Sequence, residues 1–87
     1  MGMKELRAKY GDKKRTLAIN AAIRAEIPGG SELLDLVHLA NHLHEVAEDS
    51  ERPKLGEVLS GLKRVKKSMF LEICKRYEIE ERNDGQK

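Results

Sequence analysis

No tryptophan occurs in the chain, phenylalanine stands only at Phe70 and tyrosine only at Tyr10 and Tyr77. A core built from so few rings is aliphatic, and a base-stacking platform of interleaved aromatics is excluded. The single cysteine, Cys74, cannot form a disulfide within the chain and fits a reducing, cytoplasmic setting. Long apolar runs are missing too. None approaches the roughly 18 residues of a membrane span, so no membrane partner is expected. No secretory-signal pattern opens the chain; Met1-Gly2 before Met3 reads as a cloning remnant and is set aside. Strand signals are equally scarce. Valine occurs only at positions 37, 46, 58 and 65, and no segment alternates apolar with polar residues.

Catalytic patterns are also wanting. There is no phosphate-binding loop and no nucleophile elbow, Gly29-Gly30 reads as a helix-ending turn, and Cys74 has no basic partner at a defined spacing. An enzyme is therefore not expected, and no cofactor is called for. A helix-turn-helix needs a turn glycine with a small residue four before it and an apolar one six after. Gly61 puts Glu57 and Lys67 there, and Gly11 puts Arg7 and Leu17 there, so neither register fits.

What is present is helical periodicity over 87 residues, 37% of them charged. The spacing predicts an all-α fold, a compact bundle of three to four helices with short loops, forming one domain over residues 3–82 with a frayed polar tail at 83–87. A first helix is expected over Lys4–Tyr10, ended by Gly11, with Asp12 capping the next. The second, about Lys13–Ile27, is apolar nearly all round and should sit centrally. Pro28-Gly29-Gly30 stops it, and Ser31 is placed to cap a third helix, about Glu32–Asp49, with a core stripe of Leu33, Leu36, Val37, Ala40, Leu43 and Ala47. The fourth runs from about Pro53 to Glu80, with Leu55, Val58, Leu59, Leu62, Val65, Met69, Ile73 and Tyr77 at helical spacing and Gly61 as a possible interruption.

Charge is unevenly distributed. Residues 1–24 carry seven basic and two acidic side chains, residues 25–57 two and eight, and residues 58–87 eight and five. Such runs are commonly solvated faces. The sharper reading is that the two basic segments converge on one anionic partner. Lys13, Lys14 and Arg15 crowd a helix N-terminus, where free N–H groups and cations together would hold a phosphate. Arg64, Lys67 and Lys75 would form a ridge on the fourth helix suited to phosphate contacts. This leads to an expected function: a small non-enzymatic accessory or regulatory protein that binds nucleic acid. The runner-up is an adaptor or inhibitor that binds another protein through its helical surface.

Two further constellations stand out. His38 and His42 lie four residues apart, with Glu45 three further on, a spacing at which two imidazoles and a carboxylate can share a divalent metal. Leu39 stands where the zincin motif requires glutamate, and the plain alternative is a solvated polar face. Leu34, Leu39, Val46 and Leu71 fall outside the expected core and would form an interface, most simply that of a homodimer.

Overall fold

A computed structural model describes residues 2–80. The chain is all-α: α1 (Gly2–Tyr10), α2 (Arg15–Glu26), α3 (Gly30–Val46) and α4 (Arg52–Arg76), with no strand among the described residues. Residues 81–87, which include the expected frayed tail, lie outside the described residues. Among the described residues no helix is long and apolar enough to cross a membrane. α2 packs against all three other helices, which its nearly continuous apolar surface dictates.

The helix boundaries have local causes. Gly2 was set aside in the sequence reading, yet it begins α1 and is buried beside the backbone of Tyr77 and Glu78. Gly11, at φ +98°, ends α1, and its N–H donates to the Arg7 carbonyl. α2 begins at Arg15, with Lys14 rather than Asp12 at the cap position. It ends because Pro28 forces the preceding Ile27 into extended backbone, at φ −106° and ψ 121°. α3 starts one residue before the expected cap Ser31: Gly29 is the N-cap at φ +78° and Gly30 is the first helical residue. Gly30 is also where α2 and α3 touch most closely, because a Cβ there would run into the Ile23 backbone.

α3 and α4 form an antiparallel hairpin. Its turn is pinned by Arg52, whose Nη2 donates to the Ala47 carbonyl (2.7 Å) and whose Nε donates to the His44 carbonyl (3.4 Å). These bonds satisfy acceptors that the end of α3 leaves open. α4 continues through Gly61 without a break. Nothing lies within 4 Å of where a Gly61 side chain would start. Gly61→Ala should therefore raise stability by about 0.5–1 kcal/mol, read as a higher denaturation midpoint at unchanged slope. α4 stops at Arg76, short of the expected Glu80, in a Schellman turn: Ile79 N–H donates to the Cys74 carbonyl and Glu78 N–H to the Lys75 carbonyl, with Glu78 at φ 54°.

The core has two parts. The larger joins Leu6, Ala18, Ile19, Ala22, Ile23, Ile27, Leu34, Ile73, Cys74 and Tyr77. The smaller, inside the hairpin, joins Leu33, Val37, Ala40 and Leu59. Between α1, α2 and α4, the Glu26 carboxylate accepts hydrogen bonds from the hydroxyls of both Tyr10 and Tyr77 and pairs with Lys9 and Arg76. Those two hydroxyl donors hold Glu26 down at about 2, from an ordinary 4.5. Burial first, and the Glu26 hydrogen bond second, push the Tyr10 phenol up to about 12.

Candidate nucleic-acid interface

The basic residues arrive at one surface from two helices. Arg15, the first residue of α2, lays its guanidinium over the Phe70 ring of α4, 5.3 Å from the ring centre, and donates from Nη2 to the Glu80 carbonyl (2.9 Å). This stacking fixes the start of α2 against the C-terminal third of α4. It also holds Arg15 within the fold, with Nη1 buried and without a hydrogen-bond partner among the described residues. Lys63, Lys66 and Lys67 stand seven, four and three residues before Phe70, so they share its side of α4. Residues 58–71 of α4 contain no acidic side chain to offset them.

Between α2, α3 and α4 lies a cleft of about 680 Å³. Lys13 and Lys66 both line it, together with Arg24, Asn20, Asn41, His38 and Asp35, over a floor that includes Leu17, Ala21, Leu34 and Val37. Arg24 is already engaged: Nη2 meets Asp35 Oδ1 at 3.0 Å and Nη1 donates to the Ser31 hydroxyl at 2.8 Å. The lysines are therefore the cleft's uncompensated charge. Asn20 Oδ1 is buried in it with no hydrogen-bond partner among the described residues. A buried acceptor of this kind takes a hydrogen bond from water or from a ligand hydroxyl or amine. The start of α2 has no side-chain cap, so its first N–H groups add to the positive potential beside Lys13 and Lys14, both exposed.

The expected residues thus divide. Lys13, Lys14 and Lys67 lie on the basic side. Arg64, two residues before Lys66, and Lys75, nine after it, are roughly half a turn of helix out of phase and project elsewhere. Lys66 belongs to the basic run of α4 but not to the ridge of Arg64, Lys67 and Lys75 expected to contact phosphate. Its signal was its position four residues before Phe70, which places it on the packed side of α4.

The other constellations resolve differently. Asp35, His38, His42 and Glu45 line a shallow recess along α3. However, no three histidine, cysteine, aspartate or glutamate side chains among the described residues are grouped to hold a metal, so the expected His38–His42–Glu45 set does not converge. Leu34, expected at an interface, is instead buried against α2 at 7% exposure. Leu36 and Leu43, expected in the core, are exposed, as are Leu39 and Val46, while Leu71 is half-buried. On α4, Val58 and Val65 of the expected core stripe are likewise exposed. Comparison with models of protein families, with curated proteins and with solved structures found no match.

Proposed function

We propose that this chain is a small non-enzymatic nucleic-acid-binding protein that holds phosphates in the cleft between α2 and α4. The observation that carries the reading is the meeting of Lys13 and Lys66 in one cleft, brought there by the stacking of Arg15 on Phe70. Lys14, Lys63 and Lys67 extend the positive surface on either side. The phosphate would sit against the lysines and the open N-terminus of α2, and a sugar hydroxyl or base amine would donate to Asn20 Oδ1. The scarcity of aromatic residues makes backbone contact the main source of affinity, with little sequence preference.

Fluorescence anisotropy with labelled duplex and single-stranded oligonucleotides tests this. About four phosphate contacts predict a roughly 100-fold loss of duplex affinity between ~50 and ~200 mM salt, through counterion release. Lys13→Glu combined with Lys66→Glu should weaken binding at least ~10-fold, whereas Lys75→Glu, on the other side of α4, should cost far less. The absence of any complex at about 100 µM protein in low salt, or equal losses from the two sets of variants, would rule the cleft out.

A further inference from the structure

The outer face of the α3–α4 hairpin carries a second seam that the monomer leaves open. On α3 it comprises Leu36, Leu39, Leu43 and Val46, which are 41–64% exposed. On α4 it comprises exposed Val58 and Val65 with half-buried Leu55, and is bordered by Leu62, which also packs against the inner seam. Steps of three, four and three residues on both helices are the heptad spacing of a helix–helix seam. The inner seam of the same hairpin, Leu33, Val37, Ala40 and Leu59, is already filled. Each helix is therefore apolar on two sides, as a helix within a four-helix bundle is, while the hairpin supplies only two of the four.

We infer that a second copy of this chain covers the outer seam, its hairpin antiparallel to the first, so that two hairpins form a four-helix bundle. A two-fold contact requires a self-complementary surface, and identical seams of identical period provide one. Charge selects the antiparallel arrangement. The hairpin's turn end is acidic, with Glu45, Glu48, Asp49, Glu51 and Glu57 against only Arg52 and Lys54. The middle of α4 is basic, with Lys63, Arg64, Lys66 and Lys67. An antiparallel copy lays each acidic turn end near the partner's basic middle; a parallel copy stacks acid on acid and base on base. Lys66, four residues after Leu62 and so one turn along the same face, is the basic side chain of this stretch nearest the seam.

The size of the seam sets the strength. Two helices, each about 10 Å wide with about 20 Å of seam, offer roughly 400 Å² per copy. That is about half the ~800 Å² per partner of a standard interface, so the contact is a weak one that shows only as concentration rises. This inference does not rest on nucleic-acid binding, and either can fail without the other.

Sedimentation equilibrium of the full chain from about 5 to 500 µM tests it. The expected result is a concentration-dependent dimer, weakened at least ~10-fold by Leu39→Glu or Val58→Glu and left intact by Leu17→Glu, a change at an exposed leucine off the seam. Both seam positions are more than half exposed, so the variants should keep the wild-type circular dichroism spectrum. Raising salt from ~50 to ~500 mM should weaken the dimer several-fold, because the acid–base match is screened. A monomer at every concentration overturns the inference. So does a dimer indifferent to both seam variants, or one that Leu17→Glu disrupts equally. Salt-strengthened association overturns the antiparallel arrangement. A monomeric wild type whose binding of a hydrophobic dye is lost in the seam variants would assign the face to a different protein.

Discussion

Gly30→Ala is expected to cost about 3 kcal/mol and to lower the melting temperature by roughly 15 °C. The cause is space. A Cβ at Gly30 would overlap the Ile23 carbonyl oxygen and lie 2.8 Å from Ile23 Cγ2 and 3.0 Å from the Ile23 carbonyl carbon. Two of these atoms are backbone and cannot rotate away, so α2 and α3 must separate. Separation opens the larger core at Ile23 and Leu34, both buried at that junction. For a chain of this length the whole stability is only about 4–13 kcal/mol, so the loss is a large share of it. The neighbouring Gly29→Ala separates conformation from space. Nothing lies within 4 Å of a Gly29 Cβ, but its φ is +78°. That substitution should cost about 1 kcal/mol, the strain of a left-handed backbone alone. Thermal denaturation of both variants checks the order; equal losses would show that close packing at Gly30 is not what the junction requires.

Glu26→Gln is expected to destabilise the fold by about 2 kcal/mol, roughly 10 °C in melting temperature. The substitution keeps the shape and removes the charge that accepts from Tyr10 and Tyr77 and pairs with Lys9 and Arg76. It should also change the acid limb of the stability profile. The folded carboxyl titrates at about 2 and the unfolded one near 4.5, so the unfolded chain takes up the proton first as pH falls. The stabilisation is complete above about pH 4.5 and disappears as pH falls toward 2. The difference in melting temperature between wild type and Glu26→Gln should therefore be constant near neutrality and shrink across that interval. At the alkaline end the sign reverses: Tyr10, raised to about 12, contributes below pH 10 and loses its contribution as pH rises toward 12. A wild type and variant whose difference is flat from pH 6 to pH 2.5 would show that the Glu26 contacts carry no net stability.

The breaks between helices were legible because each has a local chemical cause, such as the Pro28 ring acting on Ile27 or Gly11 ending α1. The central place of α2 was legible for the same reason: its apolar residues surround it. Which leucines of α3 face inward was not. Leu33, Leu34, Leu36, Leu39 and Leu43 cover most of its circumference, and periodicity alone does not choose among them. The choice is made by Gly30, whose missing side chain lets α2 close on the side that Leu34, four residues later, shares. The basic cleft was half legible. The lysines at the start of α2 were visible as a cluster, but their counterpart Lys66 depends on the stacking of Arg15 on a ring 55 positions away in sequence. The tyrosine pair on Glu26 left no signal either, because its three members stand at the ends of three different helices and meet only after folding.

The burial of Gly2 beside Glu78 and Ile79, each 3.2 Å from where a Gly2 side chain would start, brings the two ends of the described chain to one pole. The turn between α3 and α4 lies at the other, about 37 Å away along the 25 residues of α4. The fold is therefore topologically close to a ring that happens to be open at that pole. A short linker joining residue 80 to residue 2 would close it, and the turn around Asp49 and Ser50, exposed on its surface, is the place where such a ring could be reopened without cutting a helix. For the same reason, cargo joined directly at residue 2 or residue 80 would leave from the pole farthest from the hairpin turn, and the outer seam would remain accessible.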